Sequence, residues 1–349
     1  MSINDETRRI AQARRQALIE LNDTTVLALA DAWADAWDTL EPEYRRTLAE
    51  LLDHATTGAP ITTAHLERSE LLQQSLQITH ERVEELSTYA GERIGRDVEE
   101  IVQAQPPATL DQLRTQLPPG RSGAQVAFSA VDEDALAAMV ARTTGSIVSR
   151  TQPLTEDMER TMRQALTRGM AAGDNPRETA HRMIRDAERG FTGGLGRAMT
   201  IARTEQLDAA RAADMLTLEA NTDVADGWRW MATLDADTCI ACAVRHGTLH
   251  PPDQFGPEGH PNCRCTSVAA LKSWSELGIE GVPEPPGVIS DGDGLEFFNS
   301  LDEQSQRTMM GPTRYQTWQN GDLQWEELAQ RRDNPDWRPS WQPTPVSAL

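Results

Sequence analysis

The chain has 349 residues, with 33 basic and 54 acidic side chains for a formal net charge of −21, and only 5 % aromatic residues. An acidic balance of this size excludes a general nucleic-acid binder, because counterion release needs a basic face. At roughly 100–200 residues per domain the length suits two domains, and the low aromatic content favours a helical, well-solvated chain.

The N-terminus, MSINDETRRI, lacks the apolar core of a secretory signal, and no run approaches the roughly 20 apolar residues of a membrane span. The expectation is a soluble chain, made in a cytoplasm, with no membrane partner. Residues 1–105 read as a helical arm or bundle. Ile10, Leu18 and Leu21 fall at near-helical spacing, and Leu27, Ala30, Trp33, Ala34 and Trp37 share one face. Pro42 is expected to restart the helix and Thr57 to Pro60 to break it, before a further helical run from Thr63 to Val102.

Residues 106–131 carry two Pro-Pro pairs with flanking glycine and read as a linker with one short helix. A helix is expected from Asp132, and another from Glu156 to Thr167 with Met158, Met162, Ala165 and Leu166 on one face. Asn175 to Glu178 resembles an N-cap with proline at the first helical position and Glu at N3. That helix carries Ala180, Met183, Ile184 and Ala187 and should stop at Gly190. A turn at Gly193 and Gly194 then leads to a long helix from Leu195 to Ala220. Between Arg150 and Asp214 there are 11 arginines and 10 acids, so this stretch alone is not acidic. It is the one place for an anion or acidic partner, unless its arginines pair with neighbouring glutamates and aspartates.

At Gly227 the period changes from helical to two. Trp228, Trp230 and Ala232 alternate with Arg229, Met231 and Thr233, as in a half-buried strand. A second short strand is expected from Val244 to Leu249. Beyond Trp274 the chain is Pro/Gly/Asp-rich to Gly294. One short helix over LEFFNSLDEQSQRTMMG then precedes a Trp-punctuated tail, expected to be extended and to dock on another protein. The fold class is therefore mainly α with a small α+β C-terminal part. Its regions are a helical one over 1–105, the linker over 106–131, a domain over 132–275, and an extension over 276–349.

All four cysteines lie within 27 residues, as Cys239-Ile-Ala-Cys242 and then His260-Pro-Asn-Cys263-Arg-Cys265. C-x-x-C at a turn points two thiolates at one metal, and the second half adds three donors in six residues, so a tetrahedral zinc knuckle has five candidates for four positions. Two disulfides are the alternative in an oxidising compartment, and unligated thiols the other. A site filled by four protein donors has no open position and is structural. A zinc deaminase needs H-x-E and P-C-x-x-C, whereas His246 precedes Gly247 and Thr248, and Pro261 leads to C-x-C. There is no P-loop and no G-x-G-x-x-G after a strand. No residue is assigned a catalytic role, and no small-molecule substrate is expected.

The order of Ala202-Arg203-Thr204-Glu205 in a long helix, Trp228-x-Trp230 in a strand, Asp235-Ala-Asp-Thr-Cys239-x-x-Cys242 and Gly259-His260-Pro-Asn-Cys263-Arg-Cys265 resembles the phage Mu F-like minor head proteins, also called head morphogenesis proteins. The resemblance spans about residues 155 to 270, and a Phe297 to Gly321 stretch is similar to what often trails that domain. It implies a minor capsid protein of a tailed bacteriophage in the head interior or at the portal vertex. Such a protein is non-enzymatic and acts in head assembly or DNA delivery. Its partners would be the portal and other head proteins, with at most a weak or local DNA contact. A metal-dependent nuclease or toxin-like effector packaged in the head is the alternative. The resemblance marks Arg203, Thr204, Glu205, Trp228, Trp230 and Asp235 as a structural box. Arg203 is expected to pin its helix to the strand and cysteine region through a carbonyl or Asp235.

Overall fold

The computed structural model describes residues 3–56, 69–119, 126–168, 176–333 and 338–348. Four long helices come first: α1 (Asp5–Thr56), α2 (Glu70–Arg114), α3 (Glu133–Arg168) and α4 (Pro176–Glu219). Strand β1 (Ala225–Met231), the short helix α5 (Ile240–Arg245), β2 (Leu249–His250) and β3 (Thr266–Leu271) follow. Helices α6 (Asp293–Ser300), α7 (Glu303–Met310) and α8 (Pro312–Gln319) lead to a hairpin of β4 (Ala329–Arg332) and β5 (Ser340–Pro343). The protein is mainly helical with a small C-terminal β element, and no described helix is long and apolar enough to cross a membrane.

The chain forms two compact units, each assembled from separated stretches. One comprises residues 21–97 and 141–205. Its core is an interhelical stripe in which Leu29, Trp33, Leu40 and Tyr44 of α1 are buried, as are Leu76, Val83 and Ile94 of α2. Phe191 of α4 packs against Trp33 and Trp37, with ring centroids 6.5 and 5.3 Å away. Buried hydroxyls are paired across helices: Tyr44 with Thr79, Thr47 with Ser75 at 2.6 Å, and Ser87 onto the Thr151 carbonyl at 3.1 Å.

The other unit comprises residues 1–20, 98–140 and 206–349. Its three-stranded antiparallel sheet has the order β2-β1-β3, with Trp228 opposite Ala269 and Trp230 opposite Ser267. Trp228 and Trp230 pack on one side with Leu113, Leu218, Leu271 and Trp274. Met231 and Val268 pack on the other with Ile3, Ala11 and Ile289. Both faces of β1 are thus covered, and Met231 is buried rather than facing water. Gly227 sits at a bulge with φ of +149°, and a Cβ there would lie 1.9 Å from the His250 carbonyl oxygen, so only glycine fits. Gln112 on α2 and Gln116 in the turn just past its end cap the outer edge of β3. Their Oε1 atoms accept from the Ala269 and Leu271 amides at 2.9 and 3.1 Å. Beneath them Asp214 accepts from Arg14 at 2.9 and 3.0 Å, Thr109 at 2.6 Å and Ser267 at 2.5 Å, a buried charge with its lone pairs filled.

Several expectations change. Helix α1 passes Pro42 without restarting, because Leu40, Tyr44 and Leu48 on either side are buried. Helix α2 continues through Pro106 and Pro107 to Arg114, so the linker does not begin at 106. The anchored Thr109, Gln112 and Gln116 hold those turns against the cost of the missing amides. One helix, α3, replaces the expected pair, and α4 runs unbroken over Gly190, Gly193 and Gly194 between the buried Ala187, Phe191 and Ala198. Glycine costs about 1 kcal/mol in a helix, less than such burial returns. Residues 240–245 are helical rather than a strand, which leaves β2 only Leu249–His250. The tail folds back on its own unit: Trp325 packs on Phe298, and Trp341 covers Arg245 at 4.2 Å. Thr57 to Pro60, Asn175 and the side chains of Met158, Met162, Ala165, Leu166, Ala180 and Met183 lie outside the described residues.

Candidate metal centre

The D-A-D-T-C segment shapes the first half of the site. Asp235 Oδ1 accepts from the Thr238 hydroxyl at 3.0 Å and from the Asp237 amide at 3.1 Å, an Asx turn that delivers Cys239 to the N-cap of α5. Burial of Asp235 opposes its charge, but hydrogen bonds from Arg264 and Thr238 outweigh it and hold the carboxyl below its usual range. Arg264 grips this carboxylate with two bonds of 2.9 and 3.0 Å. One turn into α5, Cys242 points into the same space. The second half comes from the loop before β3, where Cys263 closes a turn on the His260 carbonyl at 3.0 Å.

The five donors form two groups that share Cys242. Cys239, Cys242 and His260 make one, and Cys242, Cys263 and Cys265 the other, with the donor atoms in each group within 4.8 Å of one another. Cys239 Sγ lies 3.2 Å from His260 Nε2, Cys242 Sγ lies 3.6 Å from the same nitrogen, and Cys242 Sγ lies 3.7 Å from Cys263 Sγ. A tetrahedral zinc with Zn–S of about 2.3 Å separates its sulfurs by about 3.8 Å, so the Cys242–Cys263 edge of 3.7 Å already has the right length. His260 Nδ1 is fixed by the Pro261 carbonyl at 2.9 Å, which leaves Nε2 turned to the thiols, the orientation a metal-binding imidazole needs. The residues present fit a metal ion.

Their electrostatics say the same. Hydrogen bonds from the Cys242 thiol and His260 draw the Cys239 thiol down to about 5, and its thiolate raises His260 to about 9. Cys263 is held low by the Cys242 and Cys265 thiols and by Arg211, while Cys242 and Cys265 are pushed up as the donors to those thiolates. Protons here do the work of a cation: they separate negative sulfurs. A divalent ion replaces them and releases them on binding.

Two supports were not legible in the sequence. The buried Arg211 of α4 donates to the Cys265 carbonyl at 2.7 Å and the Cys263 carbonyl at 3.3 Å, and is itself paired with Asp208 at 2.7 Å. Glu258 is held by Arg331 of β4 at 2.7 and 3.0 Å, and its carbonyl accepts from the Trp341 amide of β5 at 2.9 Å. The C-terminal hairpin therefore braces the metal loop. Gly259 is required there, because a Cβ would sit 2.4 Å from Cys263 Sγ.

The structural box divides. Trp228 and Trp230 are buried in the core beside the cysteines, Trp228 stacking on His250 with centroids 4.2 Å apart. Arg203 does not reach Asp235 or a strand carbonyl. Its Nε donates to Asn22 at 3.2 Å, Thr204 bonds back to the Thr200 carbonyl at 2.7 Å, and Glu205 pairs with Arg150. The pinning expected of Arg203 falls to Arg211, two turns further along the helix. Of the arginines in the less acidic stretch, the described Arg150, Arg160, Arg189, Arg197 and Arg211 each pair with a carboxylate.

His246, just after α5, accepts the Ala232 amide on Nδ1 at 3.0 Å, and burial lowers its pKa to about 4. A histidine depressed from 6.5 binds its proton only on unfolding over that window, so its stabilisation is complete above pH 6.5 and is lost as pH falls towards 4. The loss is about 3 kcal/mol. In His246→Asn, whose Oδ1 replaces Nδ1, urea unfolding followed against pH should have a flatter acid limb between 6.5 and 4. Superimposable curves would contradict this.

Residues 160–268 match the protein family described as Phage Mu protein F like protein. The match takes in the Arg203 box, β1 and every cysteine and histidine of the cluster, and leaves residues 1–159 and 269–349 outside it. No curated protein and no solved structure matches the chain. The segment of residues 160–268 that holds the candidate metal centre is thus similar to the Phage Mu protein F like family, over 109 of the 349 residues.

Proposed function

We propose that the protein is a non-enzymatic minor capsid protein of a tailed bacteriophage, carried at the portal vertex and acting in head assembly or DNA delivery. The observation that carries this is the family domain itself, built around a Cys/His cluster whose donors face one another. The cluster holds a structural zinc with four of Cys239, Cys242, His260, Cys263 and Cys265. That ion ties the α5 turn to the loop before β3 and so stabilises a sheet of short strands, while the helices outside the family domain supply surface for the portal and other head proteins. DNA contact is weak or local, since the net charge is −21 and Arg150, Arg160, Arg189, Arg197 and Arg211 of α3 and α4 are each paired with a carboxylate.

The test is genetic. A phage with this gene inactivated should yield few infectious particles and should be rescued by the protein supplied in trans. The purified chain incubated with plasmid DNA and Mg²⁺ or Mn²⁺ should leave it intact. Unchanged titre would overturn the head role, and cleavage abolished by mutation of the cluster would favour a packaged nuclease.

A further inference from the structure

The unit of residues 21–97 and 141–205 carries a groove of about 610 Å³ outside the family domain, between α2 and α3. Its lining is mixed, with Val148 the one hydrophobic side chain among the described lining residues and His80, Ser87 and Ser149 adding polar groups. Gly91 contributes no side chain, the methyl-bearing Thr88 and Thr151 flank it, and Val148 is 47 % exposed, one of three large hydrophobic side chains left so open among the described residues. Glu84, Glu92 and Glu156 rim the groove. On the other side of the same ridge a second hollow of about 440 Å³ adds Glu81 and Glu85. On α2 these residues form one stripe at i, i+3/i+4 and so on from 81 to 92, about 16 Å of helix at 1.5 Å per residue. Arg82 pairs with Glu85 at 2.7 Å and His80 approaches Glu84 at 3.9 Å, while the described lining of both hollows holds no arginine or lysine.

We infer that this groove is the docking surface for a basic amphipathic helix of another protein, one that presents Arg or Lys at helical spacing on either side of a small apolar residue. The apolar residue seats on Val148 and Gly91, and the cations meet Glu84, Glu92 and Glu156. Charge selects the occupant. Nucleic acid is repelled by the rim, and a second copy carries the same net charge of −21 and is repelled overall. This gives the docking role proposed above a surface and a partner chemistry, and it rests on that role only for the partner being a head protein.

The experiment titrates full-length protein against a fluorescein-labelled 18-residue helical peptide, with arginine at every fourth position in an alanine-leucine background, followed by anisotropy. The double variant Glu84→Arg/Glu92→Arg should weaken binding at least tenfold with an unchanged circular dichroism spectrum, and Val148→Asp should raise the dissociation constant severalfold. The control Glu296→Arg/Glu326→Arg alters net charge equally on exposed residues elsewhere and should leave binding within twofold. Equal weakening by control and groove variants, or no weakening by either, would overturn the assignment. Peptide binding decides the groove, and copy number in particles decides the head role, so either can fail without the other.

Discussion

Replacing Cys242 with serine is expected to abolish metal binding and to lower the melting temperature of the unit that holds it by about 10–20 °C. Cys242 is the thiol common to both donor groups, with His260 Nε2 and Cys263 Sγ at 3.6 and 3.7 Å, so its loss leaves no set of four around one centre. Structural zinc contributes about 10–16 kcal/mol to small zinc-finger peptides. Here the sheet has other support, from Gln112, Gln116 and the buried Arg14–Asp214 pair, so the loss should be several kcal/mol rather than complete unfolding. Elemental analysis should give one zinc per wild-type chain and none in the variant, and calorimetry should separate the transitions. Five donors for four positions carry a second consequence: serine or alanine at one of Cys239, His260, Cys263 or Cys265 should leave the metal in place. A Cys242→Ser protein that keeps its zinc and its melting temperature would contradict the assignment.

Arg211→Met should cost about 3–5 kcal/mol and weaken zinc binding by about 10–100-fold. The side chain is 2 % exposed and holds three acceptors: the carbonyls of Cys263 and Cys265 and the Asp208 carboxylate. Methionine fills the volume but leaves Asp208 buried beside Arg338 alone and frees the carbonyls that fix the spacing of the C-x-C pair. Arg211→Lys should recover little, because one ammonium cannot reproduce a fork spanning helix and loop. Urea unfolding gives the stability and competition with a chromophoric chelator gives the affinity. Wild-type values for both in Arg211→Met would show that the loop holds its own shape.

Local chemistry was readable from the sequence where its signal is local. The cysteine spacing and the period-two run at Trp228 and Trp230 depend on neighbours a few residues apart, and the structure has both. The face read through Leu27, Ala30, Trp33, Ala34 and Trp37 is right only in part: Trp33 is buried, but Leu27 is 64 % exposed and Ala34 is exposed, because the buried stripe of α1 runs through Val26, Leu29, Trp33 and Leu40. Helix ends were misread wherever packing outweighs propensity, as at Pro42, at Pro106 and Pro107, and across Gly190 to Gly194. Strand β3 escaped because all six of its residues are buried, so Thr266 to Leu271 show no alternation. Arg211 is one of 11 arginines between Arg150 and Asp214, and nothing nearby in sequence marks it as the one facing the cysteines. The bracing of the candidate metal loop by Arg331 and Trp341 joins them to Glu258 across 73 and 83 positions and is visible only in the fold.

Incorporation of this chain into the phage head is what the proposed function requires. Quantitative mass spectrometry of purified particles, with and without DNA, tests it most directly. A handful of copies per head, retained together with the portal protein in both, is the result predicted here. Absence from full and empty heads alike would contradict it.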